Sequence, residues 1–162
     1  MRTPSIRAAT LSDVDCLLAL ETDSFASDRL TSRSFRHFVR SPTAVLKVMR
    51  EGSEILGYYL LLFRARSEVA RLYSIAVDGR HRGRGLAGSL LADAERASRR
   101  QGLARLSLEV REDNPPAIRL YERLGYVLRG RIAEYYADGA GARRYEKRLD
   151  RPARGRPRGA DD

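Results

Sequence analysis

The sequence predicts an α/β protein with one mixed, mostly antiparallel central sheet flanked by helices, in the element order βααβββαβαββ. Three observations predict it. Apolar residues switch between strand-like and helix-like spacing in that order along the chain. The apolar segments 44–50 and 55–63 are split by Glu51-Gly52-Ser53-Glu54, which reads as a hairpin turn. Finally, the run Val77-Asp78-Gly79-Arg80-His81-Arg82-Gly83-Arg84-Gly85-Leu86-Ala87-Gly88 leads from a strand through a glycine-rich turn into a helix.

Taken in order, Ser5 to Ala8 forms a short first strand, and Thr10-Leu11-Ser12-Asp13 offers a capping box for a helix running to about Ser24. Leu11, Val14, Leu17 and Leu18 give that helix its apolar face, and Cys16 beside Leu17 reads as a packing residue. A second helix spans Thr31 to Arg40 and stops at Ser41-Pro42, because the residue before a proline is driven out of the helical region. The hairpin follows, then a fourth strand, Val69 to Val77. Leu86, Leu90, Leu91, Ala94 and Ala97 repeat at helical spacing until Gly102, and Leu106 to Val110 returns as a strand. Asn114 can cap the next helix, whose first turn accepts Pro115 and Pro116; Ala117, Leu120, Tyr121 and Leu124 share one face and Gly125 ends it. Tyr126 to Ile132 and Arg143 to Leu149 supply the last two strands. No internal repeat is present.

Length and composition bound the rest. A chain of 162 residues, 43% hydrophobic, is one domain with a full core, assigned to 1–150, followed by a basic, disordered tail over 151–162. Apolar runs fall short of the ~18 residues a membrane helix needs, and the N-terminus lacks a signal-peptide pattern, so a cytoplasmic protein with no membrane partner is expected. One cysteine excludes an internal disulfide, and His37, His81 and Cys16 are too few for an ordinary zinc site, so no metal is expected. Both histidines lie in polar stretches and read as solvated. The net charge of +10 invites a nucleic-acid reading, but aromatic residues do not interleave with the basic ones, so no specific nucleic acid is expected. Arg96, Arg99 and Arg100 read as the solvated face of their helix.

The glycine turn carries the chemistry. At Gly83 and Gly85 the backbone can take positive φ, so several N–H groups can point at one anion while the helix N-terminus adds partial positive charge. Arg80, Arg82 and Arg84 add formal charge. A solvated loop is the bland alternative. Gly83, Gly85 and Gly88 also spell G-x-G-x-x-G, but a dinucleotide fold needs that string right at the strand end and an acidic residue about 20 positions later. Here Asp78 to Arg82 intervenes, and no acidic residue falls at that distance.

The other parse, Arg82-x-x-Gly85-x-Ala87, resembles the Q/R-x-x-G-x-G/A pyrophosphate loop of the GNAT superfamily of acyl-CoA N-acetyltransferases. Downstream, Asn114-Pro115-Pro116-Ala117-Ile118-Arg119-Leu120-Tyr121-Glu122-Arg123-Leu124-Gly125-Tyr126 resembles that superfamily's N-x-x-A-x-x-L-Y-E-x-L-G-[FY] motif nearly letter for letter. The similarity runs from about Ser5 to Leu149 and implies the GNAT fold. Leu108-Glu109-Val110-Arg111, the second motif and Tyr135-Tyr136 look like the RimI-type ribosomal-protein alanine N-acetyltransferases. That group usually carries a Pro-Trp pair after its first helix, where this chain reads Phe25-Ala26-Ser27-Asp28 and has no Trp. The departure puts the acceptor in question, not the reaction.

The resemblance implies acetyl-CoA as cosubstrate and a primary amine as acceptor, a protein or peptide N-terminus, with a ribosomal protein as one such partner. It assigns the pyrophosphate to the N–H groups of Arg82, Gly83, Arg84, Gly85, Leu86 and Ala87, and the pantetheine to the backbone of Ala76 and Val77 and to Asn114. It assigns polarisation of the thioester carbonyl to the Ile75 N–H. Glu109 is implied as general base and Tyr121 as general acid to the thiolate, while Glu21, Phe25, Tyr135 and Tyr136 fall in regions lining the acceptor groove, with core or rim packing as the alternative for each. The energetics favour an N-terminal amine: with pKa near ~8 it costs about 1.4 kcal/mol to deprotonate at pH 7, against roughly 4.6 for a lysine near 10.4. Acetylation of a small amine such as an aminoglycoside or polyamine, and a non-catalytic acyl-CoA- or RNA-binding module, stay open as alternatives.

Overall fold

The computed structural model describes residues 3–150, so the expected tail from Arg151 lies outside the described residues. Seven strands form one sheet in the order β1-β2-β3-β4-β5-β7-β6. They are β1 Ser5–Ala8, β2 Ala44–Glu51, β3 Glu54–Leu62, β4 Val69–Val77, β5 Arg105–Arg111, β6 Val127–Ile132 and β7 Ala142–Arg148. Four α-helices interleave with them: α1 Val14–Ser24, α2 Ser32–Arg40, α3 Leu86–Arg100 and α4 Pro115–Arg123. Every neighbouring pair is antiparallel except β4 with β5. The order βααβββαβαββ is the expected one.

Each face of the sheet builds its own core. On one, Tyr59, Leu61, Leu72, Leu106 and Leu108 meet Leu86, Leu90, Leu91 and Ala94 of α3 and Ile118 and Tyr121 of α4. On the other, Leu46, Val48, Tyr58, Leu60 and Ala76 meet Val14, Leu17 and Leu20 of α1 and Phe35 of α2. Helices on both sides explain why the β3 run is apolar without alternation. The second core draws its sheet residues only from β2, β3 and β4. Beyond β4, that face therefore presents the polar residues of β5, Arg105, Ser107 and Glu109, which alternate with the buried Leu106, Leu108 and Val110.

The parallel pair opens partway along its length. Its register runs from Val69↔Arg105 to Leu72↔Leu108 and stops, although β4 continues to Val77 and β5 to Arg111. A bulge begins the departure: Leu61 pairs with Leu72 and Leu60 with Ser74, so Tyr73 is the extra residue, and a bulged strand bends and twists. The result is a cleft between the last residues of β4 and those of β5. On its far side β4 is held close to β3 at Gly57, where a Cβ would come within 2.6 Å of the Ala76 carbonyl oxygen.

Three expectations need correction. Leu11 is 44% exposed and Cys16 is exposed, because Leu11–Asp13 form a 3-10 turn and the α-helix starts only at Val14, which changes the phase of the buried stripe. His81 is part-buried, its Nε2 lying 2.9 Å from Glu54 Oε1. An unanticipated 3-10 turn, Gly79–His81, forms because the Asp78 carboxylate accepts the Arg80 N–H at 2.9 Å.

The capping box is present where expected. Asp13, 6% exposed, accepts the Thr10 N–H at 2.8 Å and pairs with Arg7 at 2.7 Å. The Arg7 hydrogen bond, aided by the Thr10 N–H, holds the Asp13 carboxyl below the usual range. A depressed carboxylate adds stability that is full above its unfolded pKa, near ~3.9, and is lost as pH falls through the lower folded value. Asp13→Asn should therefore destabilise the fold by about 1–2 kcal/mol at neutral pH, with the gap to wild type closing in acid. Urea unfolding at pH 7 and at pH 3 or below measures this; a pH-independent gap would show that the charge contributes nothing.

Candidate active site

The glycine turn has the backbone its sequence calls for. Gly83 and Gly85 have φ of 81° and 72°, both in the left-handed region. Gly85 is the N-cap of α3 and offers no side-chain cap, and the first helical bond at this end is Ser89 N–H to Gly85 C=O. The N–H groups of Leu86, Ala87 and Gly88 are thus aligned at the positive end of a 15-residue helix with no side-chain cap. Around them, Arg84 pairs with Glu51 at 2.6 Å, and Arg80 with Asp78 at 2.8 Å and Glu54 at 3.3 Å. Glu54, Asp78 and His81 approach one another closely enough to suggest a cation site, but the Arg80 guanidinium already pairs with both carboxylates.

Ladder alternation sorts the backbone groups of β4. The Asp78 N–H bonds across to Leu56 C=O on β3 at 2.7 Å, so Ala76, two residues back, faces β3 as well. Ile75 and Val77 then turn their N–H groups toward the cleft. Of the two residues expected to meet the pantetheine, Val77 has its N–H on the cleft side and Ala76 does not.

Across the cleft stands α4. Asn114 Oδ1 accepts the Ala117 N–H at 3.3 Å, so the cap occupies its oxygen and leaves the side-chain NH2 to donate. Tyr121 is 7% exposed and packs edge-on to Tyr126 at 5.8 Å. Burial, with a smaller push from Tyr136, raises its phenol well above the ordinary value, so it stays protonated throughout the neutral range.

Glu109 directly follows Leu108, the last residue of β5 paired with β4, so it sits where the two strands begin to part, with its side chain 9% exposed. It lies between two arginines: Arg71 Nε of β4 at 3.3 Å and Arg144 Nε of β7 at 3.4 Å. Arg144 is its register partner across the β5–β7 pair. Arg71 also donates to the Tyr135 hydroxyl at 2.8 Å, tying the β6–β7 loop to β4. Tyr135 and Tyr136 meet edge-on at 5.0 Å, and Arg111 stacks on the Tyr136 ring at 4.9 Å. Burial pushes the Tyr136 phenol up to about 12, with the Glu109 charge adding to the shift.

The α1–α2 loop closes the other side. Asp28, with φ of 55°, accepts the Ala137 N–H at 3.1 Å and so bridges this loop to the β6–β7 loop. Phe25 is part-buried at the end of α1 and packs against the second core. Glu21, near the end of α1, is a buried residue of this region. It is 2% exposed, accepts the Leu30 N–H at 2.8 Å and is bonded by the Tyr58 hydroxyl, which itself meets Ser74 Oγ at 2.7 Å. Burial raises its carboxyl pKa. Glu21 fixes the loop backbone from beneath.

Sequence reasoning missed Arg71 and Arg144. Strand alternation could have placed Arg71 and Glu109 each on a polar face, but their contact depends on register, which alternation does not supply.

Comparison with known proteins identifies the chain as an acyltransferase. Residues 14–126 match the acetyltransferase (GNAT) family, and the chain belongs to it. It is 28% identical over 134 residues, 83% of this chain and 87% of the relative, to a putative [ribosomal protein bS18]-alanine N-acetyltransferase of Bacillus subtilis. It is 31% identical over 148 residues, 89% of this chain and 77% of the relative, to the N-terminal acetyltransferase A complex catalytic subunit NAA10 of Arabidopsis thaliana. The fold superposes on the crystal structure of the ribosomal-protein-S18-alanine N-acetyltransferase of Escherichia coli with a TM-score of 0.82 at 22% identity, covering 95% of this chain and 99% of that one. Among the described residues, no helix is long and apolar enough to cross a membrane.

Proposed function

We propose that this acyltransferase moves the acetyl group of acetyl-CoA onto the N-terminal α-amine of a protein or peptide, in the cytoplasm, by direct attack on the thioester. The observation that carries the proposal is the cleft between β4 and β5, with the α3 N-terminus at one end and Glu109 at the other. The α3 terminus and the glycine turn suit a pyrophosphate, and the cleft-facing N–H groups of Ile75 and Val77 suit an amide-bearing arm. When bound, acetyl-CoA supplies the activated acyl carbon. Ile75 N–H stabilises charge growing on the acyl oxygen, because a fixed donor needs no reorganisation. Glu109 takes the proton from the incoming ammonium, and Tyr121 O–H donates to the departing sulfur. The α1–α2 and β6–β7 loops, joined at Asp28 and Ala137, frame the acceptor.

The B. subtilis and A. thaliana relatives, named for protein N-terminal acetylation, favour a polypeptide acceptor, a ribosomal protein among the candidates. Two arginines beside Glu109 disfavour polycationic small amines. Purified enzyme with acetyl-CoA should release CoA thiol with Ala- or Ser-initiated peptides at least tenfold faster than with spermidine or an aminoglycoside. Faster turnover of the polyamine would replace the peptide reading by a small-amine one, and acetyl-CoA binding without turnover of any amine would point to a non-catalytic module.

A further inference from the structure

We infer that the acceptor is an acidic N-terminus, one that carries an Asp or Glu side chain at its second residue, and that Arg71 and Arg144 read it. The inference rests on the peptide reading above and deepens it.

The charge around the base is the starting point. Glu109 contributes one negative charge, whereas Arg71 and Arg144 contribute two positive ones, so the three groups together are cationic. Both arginines contact Glu109 through Nε at the long end of the hydrogen-bond range, 3.3 and 3.4 Å. Arg71 then spends one terminal nitrogen on the Tyr135 hydroxyl. No such bond engages the terminal nitrogens of Arg144 among the described residues, and its side chain is 49% exposed. A guanidinium held by its Nε, with its paired terminal nitrogens facing outward, has the geometry that grips a carboxylate.

Position supports this. Arg71, Glu109 and Arg144 come from three adjacent strands on the sheet face that α1 and α2 leave uncovered beyond β4. A polypeptide whose terminal amine reaches Glu109 must lay its next residues near these side chains, because one extended residue spans only ~3.3–3.6 Å. Acidic residues are not absent nearby. Asp28 caps the Ala137 N–H, however, and Asp138 pairs with Arg111 at 2.5 Å, so both are engaged by local partners. The arriving amine is itself a cation, and two guanidiniums beside the base oppose it unless the acceptor brings a compensating charge.

The test compares peptides identical except at position two, Ala-Asp, Ala-Gln and Ala-Arg, by kcat/KM at low and moderate salt. Wild type should favour the Asp peptide over the Arg peptide by at least about tenfold, and the preference should shrink with salt. Arg144→Gln should bring the Asp-to-Gln ratio to within about twofold of unity, and Arg144→Glu should invert the order. The ratio is the readout because any effect of these changes on Glu109 as a base cancels between peptides. Arg100→Gln, at the far end of α3, should leave the ratio unchanged. Turnover indifferent to the second residue, or a ratio untouched in Arg144→Glu, would overturn the inference while the peptide reading stands. Failure to turn over any peptide would overturn both. Competition by short RNA equal to that by an acidic peptide would assign the arginines to a polyanion surface instead.

Discussion

Replacing Gly85 with valine is expected to reduce acetyl-CoA affinity by at least about 100-fold while the chain still folds. Gly85 has φ of 72° and ψ of 19°, and nothing lies within 4 Å of where its Cβ would be. Collision is therefore not the cause. The cost is conformational: an L-residue in the left-handed region pays about 1–2 kcal/mol, and a β-branched one more. That is a modest part of the ~5–15 kcal/mol that holds a domain together, so folding survives. Relief of the strain would rotate the peptide plane that opens α3 and turn the N–H groups of Leu86 and Ala87 away from a common anion. Hydrogen bonds to a charged group contribute roughly 1.5–3 kcal/mol each, so losing two exceeds the ~2.7 kcal/mol that a 100-fold change represents. Gly85→Ala should fall between. Gly88→Ala should bind normally, since Gly88 is not among the positive-φ glycines and its Cβ would meet nothing. The contrast separates the parse R-x-x-G-x-A from G-x-G-x-x-G, in which Gly88 would matter. Calorimetric titration with acetyl-CoA, beside a thermal melt, measures both effects; wild-type affinity in Gly85→Val would remove the pyrophosphate from this turn.

What the sequence made legible divides along a physical line. Local signals read correctly: Asn114 with two prolines behind it starts α4, Gly125 with φ of 92° ends it, and Glu51 to Glu54 turn the hairpin. Each depends on a few neighbouring residues. The features that depend on register did not read. The contact of Glu109 with Arg144 requires β7 to lie beside β5 with those two residues opposed, and a shift of one residue would send Arg144 to the other face. The contact with Arg71 depends likewise on the parallel register, which sets Arg71 opposite Ser107, two residues from Glu109 on the same face. Leu11 and Cys16 failed for a smaller reason, a 3-10 turn that shifts the phase of α1. The burial of Glu21 was not legible either, because nothing local says that a carboxylate near a helix end will be covered by Tyr58 from β3. Motifs and caps could be found in the chain; the electrostatic company of Glu109 could not.

Glu109→Gln and Tyr121→Phe should impair different steps, and their pH dependence should tell them apart. Removing the Glu109 carboxylate takes away the proton acceptor and leaves the charges of Arg71 and Arg144 uncompensated beside the cleft. Turnover of a peptide near pH 7 should fall about 10²-fold, the usual scale for a positioned base. It should recover as pH rises, because the neutral fraction of an amine with pKa near ~8 grows about tenfold per unit below that value. Tyr121→Phe should also lose about 10²-fold but show no recovery. Burial raises the Tyr121 phenol, so the wild-type hydroxyl remains protonated over the same range and its loss is equally felt at each pH. Both variants should bind acetyl-CoA normally, since the uncapped α3 terminus and the cleft-facing N–H groups of β4 are unchanged. The measurement is a pH–rate profile from 6 to 9 for wild type and both variants, with single-turnover kinetics to keep chemistry in view. Wild-type turnover by Glu109→Gln at pH 7, with chemistry limiting, would move the base elsewhere. A Tyr121→Phe deficit that vanished with rising pH would mean that the tyrosine acts on the amine and not on the thiolate.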